Sequence, residues 1–177
     1  TKQYIEKDEE NSNIYYYYFI PSTLKSVTIS GDITAVSAYA FNGCENLTNI
    51  TIPPEVTIIG DRAFKNCENI KAVNITDSVT SIGRAAFMGC SGLENFHIPE
   101  SLTIIEELTF KGCSSLTSVV IPDSVTSIGD NAFMGCAKLT SITIGSGLQS
   151  IGDFAFDTCT KLVEVINNSQ LEIKADN

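Results

Sequence analysis

Apolar residues recur along this chain at a fixed interval of 23 positions. Six phenylalanines and all six cysteines keep this interval without an insertion or a deletion. Such a period is typical of a solenoid, in which each coil buries its apolar face against the neighbouring coils. The two series are Phe41, Phe64, Phe87, Phe110, Phe133 and Phe156, and Cys44, Cys67, Cys90, Cys113, Cys136 and Cys159.

Each repeat predicts two short strands separated by a turn. The first segment, Leu-x-x-Val-x-Ile, alternates apolar and polar positions, so its leading Leu and its later Val and Ile should face the core. A turn follows, with proline in three copies (Pro53, Pro99 and Pro122), and then a second extended segment, Val/Leu-x-x-Ile. Seven first strands are expected, led by Leu24, Leu47, Ile70, Leu93, Leu116, Leu139 and Leu162.

A glycine-containing turn closes each repeat. Glycine ends the second segment, and an aspartate follows it in three copies, placed to cap a short helical turn that carries Ala-Phe. Another glycine precedes the cysteine in four copies and lets the chain turn back. In the fourth repeat Glu106 and Thr109 replace the first glycine and the alanine, so this turn cannot depend on glycine. The aspartates are Asp61, Asp130 and Asp153, and the glycines before cysteine are Gly43, Gly89, Gly112 and Gly135.

The pattern predicts three regions along the chain. Residues 21–166 should form a right-handed solenoid with a parallel sheet on one face and short strands and helical turns on the other. Its strands, spaced by about 4.8 Å, would give a sheet roughly 30 Å long. Residues 1–20 are a flank, in which 6–13 are expected to be mobile or a linker and the aromatic run 15–20 to form a strand that caps the first coil. An aromatic binding patch is the alternative for that run, and residues 167–177 are a C-terminal flank or cap.

Charge and composition exclude several classes of function. The formal net charge is −10, which repels phosphate backbones and anionic membranes and argues against nucleic acid as a partner. No apolar run approaches the roughly 20 residues that cross a bilayer, so we expect no membrane insertion. The chain begins without Met and without a signal-peptide pattern, which we interpret as a segment of a longer protein.

The six cysteines favour a packing role over disulfide bonds. All of them hold the same slot of the repeat, so stacking would place them in one column of small, buried side chains. Equivalent side chains in neighbouring coils point in parallel directions, which suits a column better than a bridge, although their distance of about 5 Å does not exclude one. We therefore expect six free thiols.

Candidate catalytic or metal-binding groups are few. The only histidine, His97, falls at an outward strand position, and its neighbours in the same column, Asn74 and Val120, offer neither a base nor a strong ligand. Asp77, Glu100 and Asp123 share a slot just after the strand, where a bound cation is conceivable but a row of solvated turn residues is the simpler interpretation. We expect no enzyme, no cofactor and no metal.

The repeat resembles that of a known family. The unit Leu-x-x-Ile-x-Ile-Pro-x-x-Val-x-x-Ile-Gly-x-x-Ala-Phe-x-x-Cys is similar to the BspA-like, Treponema-type leucine-rich repeat over residues 21–166. The resemblance implies a leucine-rich repeat solenoid from a bacterial cell-surface or secreted protein, with adhesion to host or partner macromolecules as its role. It carries no catalytic residues to this chain, because its motif positions are structural.

The outward positions of the first strands are the expected binding surface. They form two columns of small, nearly uncharged side chains, and the concave faces of solenoids commonly bind partners. We predict a monomeric protein-binding module, with a passive stalk that displays other domains as the alternative function. The alternative interpretation of the two columns is that short polar side chains simply suit a tightly stacked, solvent-facing sheet and bind no partner. The candidate ligand-binding residues are Asn49, Asn74, Asn95, His97 and Val120.

Overall fold

The computed structural model describes residues 3–7, 14–18, 23–29 and 31–172. Near the N-terminus, strands β1 (Gln3–Lys7) and β2 (Ile14–Tyr18) form an antiparallel hairpin with Ile5 opposite Tyr16. A strand was predicted in the aromatic run, but within the described residues its partner is β1 and not the first coil. Glu6 and Lys7, expected in a mobile or linker segment, lie in β1, whereas residues 8–13 and 19–20 fall outside the described residues.

From residue 24 the chain winds in coils of 23 residues, which we number 1 to 6 from residues 24, 47, 70, 93, 116 and 139. Strands pair in parallel with the equivalent strands one coil away, so that Ser118 lies opposite Ser141 and Ser141 opposite Glu164. The fold is therefore the predicted solenoid. The first strands are β3 (Ser26–Thr28), β5 (Asn49–Thr51), β7 (Ala72–Asn74), β10 (Ser118–Ile121), β12 (Ser141–Ile144) and β14 (Glu164–Asn167). The second strands are β4 (Ala35–Val36), β6 (Ile58–Ile59), β8 (Ser81–Ile82), β9 (Ile104–Ile105), β11 (Ser127–Ile128) and β13 (Ser150–Ile151).

The core consists of columns of equivalent residues. Leu47, Ile50 and Ile52 of coil 2 are buried, as their alternation predicts, while Asn49 and Thr51 are exposed. The six periodic phenylalanines stack ring on ring, with centroids 5.2 to 5.7 Å apart and interplanar angles of 4 to 12°. Each ring in the middle of the array therefore touches one ring above it and one below it.

The segment expected to be a helical turn is a run of hydrogen-bonded turns. In coil 2 the amides of Arg62, Phe64 and Asn66 donate to carbonyls of coil 3, whereas the intervening amides bond within their own coil. Arg62 and Asn66 have φ values of 53° and 59°, and the same two slots have positive φ in every coil. Left-handed residues at these slots interrupt any regular helix and aim alternate amides at the next coil. We call these bonds between coils the turn ladder.

The sequence predicts that the aspartates after the glycine cap the turn of their own coil. In the structure, two of these aspartates bind the next coil instead. Asp61 Oδ1 accepts a hydrogen bond of 2.9 Å from the backbone amide of Arg84, and Asp130 Oδ1 accepts one of 2.8 Å from that of Asp153. In both cases the amide lies 23 residues later in the chain. These carboxylates therefore hold neighbouring coils together.

Coil 4 lacks its first strand, so the described part of the array has six first strands and not the seven predicted. Residues 95–98 form no backbone ladder with β7 on one side or with β10 on the other. The second-strand sheet is also interrupted, because β8 and β9 do not pair. Within the described residues the array thus contains four three-stranded sheets, two on each side of this interruption.

Two residues of coil 4 account for the interruption. Phe96 occupies a slot held by Val or Ile in the other coils, and its ring packs 4.9 Å from that of Phe87 and 4.8 Å from that of Phe110. Glu106 occupies the glycine slot, where a Cβ on Gly83 would lie 2.6 Å from the backbone nitrogen of Asp61 in the preceding coil. A side chain at that slot therefore requires the coils to separate.

Candidate functional site

The structure places all five candidate ligand-binding residues on the exposed face of the first strands. Asn49, Asn74 and Val120 lie in β5, β7 and β10, and Val120 is 62% exposed. Asn95 and His97 are exposed in the segment of coil 4 that has no strand partner. They therefore share one face, but the sheet that should align them is interrupted at its centre.

His97 has a partner that the sequence interpretation missed. Its Nε2 lies 2.9 Å from Asp77 Oδ1, and the same oxygen accepts a hydrogen bond of 2.8 Å from the Glu100 amide. The Glu100 amide, together with His97, lowers the pKa of the Asp77 carboxyl below its usual range. The repeat aligns His97 with Asn74 and Val120, whereas this contact joins a strand position to the turn after the preceding strand. Both side chains of this pair are about half exposed.

Asp77 and Asp123 are also more than solvated turn residues. Asp77 accepts from the Glu100 amide, and Asp123 Oδ1 accepts a hydrogen bond of 2.6 Å from the amide of Ser146, again 23 residues later. Each carboxylate thus has a structural partner in the next coil. Among the described residues, no group of three or more His, Cys, Asp or Glu side chains could hold a metal ion.

Among the described residues, a bidentate ion pair between Arg84 and Glu107 lies on the turn side of the array. Arg84 Nη2 and Nε donate to the two carboxylate oxygens of Glu107 at 2.7 and 2.9 Å. This bidentate pair lowers the pKa of the Glu107 carboxyl. The first-strand face carries small polar side chains instead, with His97 and Glu164 as its chargeable groups. The electrostatic potential of this face is therefore less negative than the net charge of the whole chain would suggest.

The cysteine column is a set of free thiols, as predicted, and the structure adds the reason for the residue type. From coil 2 onward each thiol donates a weak hydrogen bond to the carbonyl of the phenylalanine in the preceding coil, with Cys67 Sγ 3.1 Å from Phe41 O. Burial raises the pKa of Cys67 to about 12, so little thiolate, the nucleophilic form, is present near neutral pH. The buried members of the column therefore act by packing and by donating hydrogen bonds. The further pairs are Cys90 with Phe64, Cys113 with Phe87, Cys136 with Phe110, and Cys159 with Phe133.

The thiols should differ in reactivity in the folded protein. Cys159 is the half-buried member of the column, so we expect it to react with a disulfide reagent first, while the other five react at the rate of unfolding. The measurement is a time course of thiol titration with and without denaturant. Cys159→Ser should remove the fast phase. Titration of fewer than six thiols in denaturant without reductant would contradict the assignment of free cysteines.

Comparison with solved structures places this architecture among known bacterial proteins. A leucine-rich repeat protein of Treponema pallidum is 29% identical with a TM-score of 0.80, and the match covers 95% of this chain and 80% of that one. A leucine-rich cell surface protein of Faecalibacterium prausnitzii is 26% identical with a TM-score of 0.68, covering 83% of this chain and 52% of that one. A leucine-rich repeat protein of Eubacterium ventriosum is 31% identical with a TM-score of 0.65, covering 88% and 43%. No curated protein matches the sequence closely enough to count as a relative.

Parallel strands in equivalent slots, a leucine-led repeat and a column of stacked phenylalanines define a leucine-rich repeat solenoid. The sequence profile of the BspA type leucine rich repeat region matches residues 12–136 and 80–176, with six copies of the repeat. The chain belongs to this family, as the repeat pattern implied. In the part of the chain that the structure describes, no helix has the length and apolar character needed to cross a membrane.

Proposed function

We propose that this chain is a non-catalytic protein-interaction module of a bacterial cell-surface or secreted protein, and that it mediates adhesion to host or partner macromolecules. The observation that carries the proposal is the outer face of the first strands. It presents small, nearly uncharged side chains on a chain whose net charge is −10. A partner's backbone or loop can approach such a face closely without desolvating fixed charges.

Family membership supports this proposal, and so does the resemblance to a protein described as a cell surface protein. We place the binding site on Asn49, Asn74, Asn95, His97 and Val120. Its centre is formed by Asn95 and His97 of the interrupted coil 4 and by Val120 of coil 5, where the side chains of the two columns are least uniform. Val120, 62% exposed, supplies an apolar contact beside the polar groups of Asn95 and His97.

The test measures binding of the purified chain to a panel of immobilised host extracellular-matrix proteins. The triple variant Asn95→Glu, His97→Glu, Val120→Glu should weaken any binding by about tenfold or more, because three carboxylates would be buried against the partner. The three side chains are exposed, so the melting temperature should change by only a few degrees.

A matched triple variant, Thr57→Glu, Thr80→Glu, Thr103→Glu, introduces the same charge on the second-strand side of the array. Retained binding in this variant and loss in the first would locate the site on the first-strand face. The reverse result would place the site on the opposite side. Absence of binding by the unmodified chain to every member of the panel would favour a passive stalk.

A further inference from the structure

The junction between coils 3 and 4 is held differently from the other junctions of the array. On one side the turn ladder crosses it intact, with amide-to-carbonyl bonds from Ala85 to Glu107 at 3.0 Å and from Gly89 to Lys111 at 2.7 Å. On the other side, residues 95–106 form no backbone–backbone hydrogen bond with residues 72–83. Just before these residues, the Glu94 amide still donates to the Lys71 carbonyl at 3.2 Å. The junction is therefore bonded along the turn side and open along the two strand segments.

The rest of the contacts agree with an opening on the strand side. The Phe87 and Phe110 rings across the junction are 5.7 Å apart, against 5.2 to 5.3 Å at the other junctions. The equivalent amides one coil later are bonded, with Thr126 donating to Thr103 O and Gly129 donating to Ile105 O, both at 2.8 Å. The loss of bonds is thus confined to coil 4 and its neighbours.

We propose that the coil 3–coil 4 junction is a hinge, about which two half-arrays flex on the turn ladder and change the curvature of the first-strand face. Phe96 and Glu106 create the hinge, because the ring and the Cβ hold the strands of coil 4 away from those of coil 3. Asp77 limits its opening, since its carboxylate makes hydrogen bonds across the open segments, to His97 and to the Glu100 amide, beyond the backbone bond from Glu94 to Lys71. The inference concerns the array itself and does not depend on the proposed binding function.

The physical basis is that a solenoid is stabilised by contacts between neighbouring coils. A junction at which neither the first-strand nor the second-strand segments pair has a lower local free energy of opening than the others. The intact turn ladder and the Arg84–Glu107 pair keep the axis of motion on the turn side. Bending about that axis would move residues 95–97 relative to β7 and would leave each half-array unchanged.

The experiment measures the distance distribution between spin labels at Thr28→Cys and Glu164→Cys in a Cys159→Ser background. Both sites are exposed and lie six strand spacings apart, about 29 Å, within the range of pulsed electron resonance. The closing variant Phe96→Val, Glu106→Gly introduces the valine of coils 1, 3 and 5 and the glycine of coils 2, 3, 5 and 6. We expect the broad distribution of the parent chain to become narrower in this variant.

Amide hydrogen exchange gives a second readout in the same proteins. In the closing variant the amides at positions 103 and 106 should gain the bonds that Thr126 and Gly129 make, and their exchange should slow by about 100-fold or more. Slower exchange with an equally wide distribution would show a static gap and overturn the hinge. Unchanged exchange would show that Phe96 and Glu106 do not cause the opening. Should the double variant fail to fold, Glu106→Gly alone serves the same comparison.

The role of Asp77 is tested by a matched pair of substitutions. Asp77→Ala removes the contact across the open side and should broaden the distribution further. Asp123→Ala removes an equivalent contact, to the Ser146 amide, at a junction where β10 and β12 are paired, and should leave the width unchanged. Equal effects of the two substitutions would contradict a special role for Asp77.

Discussion

Replacement of Phe87 by alanine should lower the free energy of unfolding by about 4 kcal/mol. The Phe87 ring is fully buried and stacks on Phe64 at 5.3 Å and Phe110 at 5.7 Å, with the Phe96 ring tilted against it at 4.9 Å. Removal of the ring leaves a cavity between three aromatic neighbours that are themselves fixed by the coils. We expect this loss in denaturant titration, with an unchanged slope of free energy against denaturant.

Phe156 provides the matched control for this prediction. Its ring stacks on Phe133 alone, at 5.3 Å, and it is half-buried near the end of the described array. Phe156→Ala should therefore cost about half as much as Phe87→Ala or less, since the lost contacts and the lost burial are both smaller. Equal losses at the two positions would contradict a core stabilised by contacts between neighbouring coils.

Replacement of Gly129 by alanine should cost about 3 kcal/mol, although it adds a single methyl group. A Cβ at this position would lie 2.6 Å from the amide nitrogen of Glu107 and 2.9 Å from the carbonyl carbon of Glu106. Both atoms are backbone and cannot rotate away, so coils 4 and 5 would have to separate and lose bonds such as Gly129 N to Ile105 O. Thermal and chemical denaturation measure the loss.

Gly112→Ala is the control that distinguishes the effect of close contact between coils from the effect of glycine's backbone freedom. The φ of Gly112 is +74°, where a Cβ is strained, but the nearest atom to that Cβ would be 3.7 Å away. Gly112→Ala should therefore cost about 1 kcal/mol, the cost of a left-handed alanine. A loss at Gly112 as large as that at Gly129 would show that backbone conformation, and not contact between coils, determines the requirement for glycine.

The periodic part of the architecture could be predicted because every contact repeats. Once Phe87 and Cys90 are assigned to the core of one coil, the interval of 23 residues assigns the same role to Phe110 and Cys113. Alternation within each first strand separates the buried Val119 from the exposed Val120. The exposed face that we propose as the binding surface follows from the same alternation.

The departures could not be predicted by comparison of equivalent slots, because they depend on contacts between different slots. Phe96 looks like a conservative replacement of Val or Ile until its ring is seen between Phe87 and Phe110. The Asp77–His97 contact links positions 20 residues apart, which no column of the repeat aligns. The prediction of a helical turn was wrong because Arg62 and Ala85 have positive φ, which directs their amides to the next coil. Neither residue type has a special tendency toward positive φ, so the sequence gives no sign of this conformation.

The uniform register of this array also bears on how its length can evolve. Parallel pairing matches each residue with its equivalent 23 positions later, as for Ser118 and Ser141. A duplication or deletion of 23 codons would therefore keep every surviving strand in register, whereas a change that shifts a strand by an odd number of residues would exchange its buried and exposed positions. Recombination between repeats can add or remove coils 5 and 6 as whole units. A duplication of coil 4 would differ, because it would copy Phe96 and Glu106 and give the array a second point of flexure.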